Sequence, residues 1–209
     1  MARYINAVCR LCRTERQKLF LKGTKCFTEK CPVAKRTYPP GDHGEKSRQK
    51  LSNYGLQLRE KQKVKRIYGV LERQFRKYFK VASKTKGVTG KVLLQMLERR
   101  LDNVVFRMGL AISRSQGRQI VRHNQIYVNN KRVNIPSYLI DKDDTIVAKA
   151  KEKAVNKLKE NLEASKDRAV PAWIELNRNE LSAKVLRLPE KEDIQFPIQE
   201  QLIVELYSK

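Results

Sequence analysis

The sequence predicts an α+β protein, rich in helix and built of at least two units, and three patterns carry that expectation. Apolar residues recur at three- and four-residue steps between Asn53 and Met108, the period changes to two after His123, and all four cysteines fall within the first 31 residues. The expected architecture is a metal-stabilised loop-and-helix N-terminal domain followed by a small helix-helix-hairpin module. In sequence terms these are a four-cysteine segment over 1–45, a basic helical domain over 46–98, the module over 99–161, and a C-terminal segment over 162–209 that packs back on the rest.

Each element has its own signal. Gly23, Pro32, Pro39, Pro40, Gly41 and Gly44 interrupt every periodic run in the first fifty residues, which therefore read as loop-rich. Leu56, Val64, Ile67, Leu71, Phe75 and Phe79 predict a helix from Asn53 to about Ala82, and Ser83–Gly90 reads as a linker. A second helix runs through Val92, Leu97, Leu101, Val105 and Met108 to a glycine cap at Gly109. Ser113 has N-cap chemistry and Gln116 completes a capping box, opening a helix to about His123. Within it Gly117 occupies an interior position where alanine is the better helix former. Ile126 and Val128 then alternate with polar neighbours, Asn129-Asn130 suits a tight hairpin turn, and Val133 begins the return. Pro136 stops that strand, Thr145–Val147 is another, residues 150–168 form a charged helix, and the remainder is strand-poor until a strand at Leu202–Leu206.

Charge narrows the function. The 209 residues carry 46 Lys and Arg against 22 Asp and Glu, a net of +24, and residues 1–100 alone hold 27 basic and 7 acidic side chains. A field of that size attracts phosphate and repels itself, so a polyanionic partner is expected, and nucleic acid ahead of membrane. No apolar run approaches the roughly 20 residues that span a bilayer, and the start of the chain lacks a signal peptide's apolar core. A soluble, cytoplasmic protein is the expectation.

The cysteines, Cys9, Cys12, Cys26 and Cys31, are spaced Cys-x2-Cys-x13-Cys-x4-Cys. Two close pairs separated by a short loop suit a tetrahedral ion, each pair offering two thiolates, and Lys22, Lys25 and Lys30 favour the ionised sulfurs. Zn2+ is the favoured ion, while an iron–sulfur cluster uses the same four thiolates. Two disulfides fit poorly with an intracellular basic chain. Four protein ligands leave no open position, so the role is structural. His43 lies beyond the Pro-Pro-Gly turn and is a weak fifth candidate.

On the helix opened by Ser113, Arg114, Arg118 and Arg122 recur every four residues and share a face, leaving Ile120 and Val121 to pack inward. The helix ends at His123-Asn124, directly before the hairpin. A guanidinium stripe there can straddle phosphates and hydrogen-bond the edges of unpaired bases. No acid lies between Asp102 and Asp141 to answer these arginines locally.

The stretch RRLDNVVFRMGLAISRSQGRQIVRHNQIYVNNKRVNIPSY at 99–138 resembles the small RNA-binding module named after small-subunit ribosomal protein 4. The opening MARYINAVCRLCR, the segment YPPGDHGEKSRQKLSNYGLQLREKQKVKRIYGVLERQFRKYF at 38–79 and the closing EQLIVELYSK resemble the bacterial ribosomal protein 4 family itself, across essentially the whole chain. That resemblance implies a protein that binds 16S rRNA early in small-subunit assembly at a multi-helix junction of the 5′ domain. It also implies contact with ribosomal protein 5 and a place near the path by which mRNA enters. It puts Lys46, Arg48 and Lys50 at that path, and Arg59, Lys61, Lys63, Lys65 and Arg66 among the RNA contacts beside Arg114, Arg118, Arg122, His123 and Asn124. Many family members lack the four cysteines, so the metal rests on the spacing here.

Two other readings compete. A stand-alone RNA-binding or RNA-modifying protein can carry the same module, but an enzyme needs a separate catalytic domain with a buried aspartate, and no stretch outside 99–161 has the length and apolar content for one. A zinc-containing DNA regulator should show a dimerisation seam, and no heptad is present.

Overall fold

The structure, a computed structural model, describes residues 3–46, 50–166, 168–194 and 196–208. The chain forms two compact units, one comprising Met1–Leu93 with Phe196–Lys209 and the other Leu94–Gln195.

The first unit is helical. Its cysteine segment, expected to be loop, contains α1 (Val8–Thr14), a 3-10 turn at Gly23–Cys26 and the single-turn α2 (Pro32–Lys35). The helix expected over 53–82 is two, α3 (Asn53–Ile67) and α4 (Glu72–Ala82). Ser52 caps α3 by accepting the Gly55 amide at 3.2 Å. The break is a Schellman turn: Gly69 takes φ +62°, its amide bonds the Arg66 carbonyl, and the Val70 amide bonds that of Lys65. Only the glycine at 69 distinguishes this turn from continued periodicity.

The C-terminal segment Leu202–Leu206 is helix, not strand, within α9 (Glu200–Tyr207). Ile203, Leu206 and Tyr207 fall at helical i, i+3, i+4 spacing, Ile203 is fully buried, and the Tyr207 ring stacks on Phe79 at 4.5 Å. Gln57 and Glu60 of α3 tie this segment down through Glu205 at 3.0 Å and the Gln199 amide at 2.9 Å. Val64, Ile67, Phe75, Tyr78, Ala82, Ile198 and Ile203 are buried in this unit.

The second unit begins within the long helix expected to end at Gly109, which is again broken. α5 (Thr89–Glu98) stops before Arg100, which is extended and bridges to Leu139, and α6 (Leu101–Arg107) follows. Gly109 caps it with φ +83° as expected. α7 (Arg114–Arg122) opens with Ser113 accepting the Gln116 amide at 3.3 Å, while the Gln116 side chain reaches back to the Ile112 amide at 2.7 Å.

The hairpin follows as β1 (Ile126–Val128) and β2 (Lys131–Arg132), with Asn129 and Asn130 at φ +48° and +64°. The return begins at Lys131 rather than Val133, which still bonds the Ile126 carbonyl at 3.1 Å. β3 (Thr145–Ala148) and α8 (Glu152–Ala164) come next. β4 (Ile174–Asn177) and β5 (Ser182–Val185) form a hairpin where the sequence reads as strand-poor, completing an antiparallel sheet of order β2-β1-β3-β5-β4. One core joins Val104, Val105 and Met108 of α6, Ile120 and Val121 of α7 and Leu158 of α8 to Ile126, Ile146, Ala183 and Val185 of the sheet, with Trp173 buried among them.

Candidate nucleic-acid interface and cysteine cluster

The three arginines of α7 share a side but not a depth. Arg114 is buried: its Nε donates to Asn103 Oδ1 at 2.7 Å and its guanidinium lies 4.5 Å from the Phe106 ring centroid. Arg118 donates to Asp102 Oδ2 at 3.2 Å, and burial pushes its guanidinium below the ordinary value against the pull of that carboxylate. Arg122, His123 and Asn124 are exposed. No acid neighbours the stripe along the chain because its partner is tertiary. Asp102 sits on α6, where it also takes two hydrogen bonds from Arg100, at 3.0 and 2.6 Å.

Beside this pair runs a second buried network. Glu98 accepts from Arg107 at 3.1 and 2.8 Å and from Asn103 Nδ2 at 2.7 Å, both charged side chains being 1% exposed. A glycine makes the arrangement possible. A Cβ at Gly117 would stand 2.6 Å from the Asp102 carbonyl oxygen, so only the bare backbone lets α7 lie this close to α6. The residue that weakens the helix as a helix is thus the one that seats Arg118 on Asp102. What remains at the surface is the end of α7 and the hairpin it leads into. Arg122, Lys131, Arg132 and Lys149 are exposed there, and the Lys149 ammonium lies 5.4 Å from the Tyr127 ring centroid.

The basic residues of α3 are occupied. Arg59 and Arg66 both pair with Glu15, Lys61 and Lys65 with Glu72 at 2.8 and 2.9 Å, and Lys63 with Glu60 at 2.7 Å and the Pro197 carbonyl at 3.0 Å. Burial acts to raise the Glu72 carboxyl, but hydrogen bonds from Lys61, Lys65 and Tyr207 outweigh it and hold it at about 2. At Glu15 burial prevails over Arg66 and Arg59, and its carboxyl is raised. These five cations therefore fasten α3 to its neighbours in the unit. Exposed cations of this unit include, on α4 and just beyond it, Arg73, Lys77, Lys80 and Lys84, none of which the sequence alone points to. The available signal was their spacing, opposite the buried Phe75, Tyr78 and Ala82. Lys46 and Lys50 are exposed, and Arg48 lies outside the described residues.

Cys9 and Cys12 stand one turn apart on α1, Cys26 ends the 3-10 turn, and Cys31 precedes Pro32 of α2. All four are free thiols, with Cys12, Cys26 and Cys31 buried and Cys9 half-buried. Burial raises the Cys12 and Cys26 thiols, against which the Leu19 amide donates to Cys12 and the Lys22 amide to Cys26 Sγ at 3.3 Å. Cys12 lies within electrostatic reach of Cys9, Cys26 and Cys31. Four thiols in one neighbourhood, with amides aimed at two sulfurs, have the donor chemistry that Zn2+ takes. They are not drawn into a closed ligand set: among the described residues no three or more Cys, His, Asp or Glu side chains are gathered tightly enough to hold an ion. His43 is exposed.

Comparison with known proteins follows this division of the chain. Residues 3–98 match the family model described as Ribosomal protein S4/S9 N-terminal domain, and residues 99–146 match the S4 domain. Small ribosomal subunit protein uS4 of Thermodesulfovibrio yellowstonii is 58% identical over 209 residues, covering 100% of both chains. The proteins of the same name from Dictyoglomus turgidum and Acetivibrio thermocellus are 60% and 58% identical over the same full span. The chain belongs to the uS4 family of small ribosomal subunit proteins. That is a family of structural ribosomal constituents, not of enzymes. No helix among the described residues is long and apolar enough to cross a membrane.

Proposed function

We propose that this protein is a primary 16S rRNA-binding constituent of the small ribosomal subunit that helps nucleate assembly of its 5′ domain. The observation that carries the reading is the end of α7 with its hairpin. There Arg122, His123, Asn124, Lys131 and Arg132 are exposed, on a scaffold braced by two buried ion pairs, Arg100–Asp102 and Arg107–Glu98. Such a rigid, electropositive edge suits a folded RNA, where shape and phosphate position are read together. Arg118, held on Asp102, acts as a positioning residue for this edge, and Arg114 as part of its frame.

The finer partners rest on family resemblance. Ribosomal protein 5 is a neighbour in this reading, and Lys46, Arg48 and Lys50 line the mRNA path. The cysteine cluster binds Zn2+ as a structural ion: Cys9, Cys12, Cys26 and Cys31 supply four thiolates, and the ion fastens a segment whose own apolar content is small. An iron–sulfur cluster is the second reading of the same donors.

The test is competition at fixed salt between a 16S rRNA 5′-domain transcript and duplex DNA of equal phosphate content. The rRNA should displace the DNA, with affinity at least tenfold tighter. Equal affinity for both would reduce the protein to a general polycation and end the proposal.

A further inference from the structure

Residues 108–113, between α6 and α7, form neither helix nor strand, so their carbonyls need partners from elsewhere. The partners come from beyond the S4-domain match, which ends at residue 146. Asn161 of α8 donates its Nδ2 to the Leu110 carbonyl at 3.0 Å. Arg168, just past α8, donates its Nη1 to the carbonyls of Phe106 and Ala111 at 3.0 and 3.2 Å, and its Nη2 to that of Ile112 at 3.4 Å. The same guanidinium lies 4.1 Å from the Phe106 ring centroid, and that of Arg114 on α7 lies over this ring at 4.5 Å. Gln116 closes the circuit, accepting the Ile112 amide at 2.7 Å and donating to Asn161 Oδ1 at 3.4 Å. The end of α8 comes close enough for this: a Cβ at Gly109 would stand 3.3 Å from Leu162 and 3.4 Å from Ser165. Burial, with Arg107 near by, pushes the Arg168 guanidinium below its ordinary value, so the cation is held at this turn against its own desolvation.

We propose that Arg168 is a positioning residue for RNA binding: it sets the angle at which α7 leaves this turn, and so the placement of Arg122, His123 and the hairpin; the proposal rests on the rRNA reading above. A guanidinium suits the place. Its planar fork donates to three carbonyls while its face lies on a ring, and a lysine ammonium, a point charge, cannot do both. α7 is a rod about 12 Å long, eight steps of about 1.5 Å, so a tilt at Ser113 is carried to Arg122. The contact of Arg118 with Asp102 fixes the middle of that rod, and the Arg168 fork fixes its start. Two points of attachment define an axis where one leaves a pivot. The RNA-binding geometry of the module is therefore completed by residues outside the stretch that matches the S4 domain.

The experiment uses the full chain, with Arg168→Lys as the main variant because it keeps the charge but not the fork. Binding to a 16S rRNA 5′-domain transcript and to duplex DNA is measured well below the melting midpoint, where Trp173 fluorescence certifies a native core. Arg168→Lys should bind the transcript about tenfold more weakly, roughly the loss of one specific contact, with affinity for duplex DNA unchanged. Amide exchange should quicken at residues 109–117 and keep the wild-type rate in β3 and β5. The control Lys166→Met, which removes an exposed charge two residues away, should leave the affinity for the transcript within about twofold of wild type. A merely structural Arg168 would lower the melting midpoint and leave the transcript affinity of the folded protein alone. That result, an equal loss on both nucleic acids, or a comparable loss in the control overturns the proposal. If Arg168→Lys lacks the native Trp173 signal, Asn161→Ala tests the same turn through the Leu110 carbonyl: weakened preference for the transcript is expected, and wild-type preference overturns the proposal. If the wild-type chain itself does not prefer the transcript to duplex DNA, the rRNA reading fails and the positioning role with it.

Discussion

Replacing Gly117 with Ala sets local and tertiary physics against each other. In an exposed helix interior Gly→Ala stabilises by about 1 kcal/mol. Here the new Cβ would sit 2.6 Å from the Asp102 carbonyl oxygen, which is backbone of the facing α6 and cannot swing aside as a long side chain would. Relief requires α7 to lift from α6, which lengthens the 3.2 Å Arg118–Asp102 contact and loosens the packing of Ile120 and Val121. Overpacking of this kind costs about 1–3 kcal/mol, and a clash with immobile backbone puts this site at about 2–3 kcal/mol, so after the propensity gain the expected net change is a loss of about 1–2 kcal/mol. For a unit of roughly 100 residues, 1 kcal/mol moves the midpoint by about 4–8 °C, so a drop of about 5–15 °C is expected. Trp173, the only tryptophan and 1% exposed, lies in the core of the second unit, so its fluorescence follows that unit during heating. A midpoint that rises or stays fixed would show that helix propensity outweighs the contact, and the account of α6–α7 seating would be wrong.

Three further outcomes follow from the buried charges and thiols. Glu98→Gln removes the carboxylate that meets Arg107 through two hydrogen bonds at 1% exposure. A loss of about 3–5 kcal/mol, as for other broken buried pairs, should appear in urea titrations followed by Trp173 fluorescence. Glu72 is held at about 2 against an ordinary 4.5, so its contribution to stability is present above about 4.5 and is lost as pH falls toward about 2. Wild type should therefore lose more stability than Glu72→Gln across that window in denaturant titrations by circular dichroism, and parallel curves would refute the lock between α3, α4 and α9. Native mass spectrometry of the purified protein should show one bound Zn2+. Cys26→Ser should release it and speed amide exchange in residues 3–46 while leaving 99–161 unchanged; protein free of metal from the outset would refute the ligand assignment.

The capping signals at Ser113, Gln116 and Gly109 and the paired asparagines at 129–130 were legible because each acts within a few residues, and their geometry is found where the pattern puts it. The broken helices were not. Periodicity runs unperturbed through Ile67–Leu71 and through Arg99-Arg100, and the breaks come from a left-handed Gly69 and from pairing of Arg100 with Leu139, a residue far along the chain. β4 and β5 escaped because the few apolar residues of each short strand become legible only once β3 offers an edge. Charge was legible in amount but not in disposition. Fourteen basic residues in 51–100 announce a polyanion, yet which of them face outward depends on Glu15, Glu60 and Glu72, whose targets are set by the fold.

Hydroxyl-radical footprinting of the full chain on intact 16S rRNA tests the central claim most directly. The account predicts a compact set of protected nucleotides confined to the 5′ domain. It also predicts that charge removal at Arg122 and Arg132 erases part of that set. Protection scattered along the RNA, or absent at concentrations that saturate binding, would contradict it.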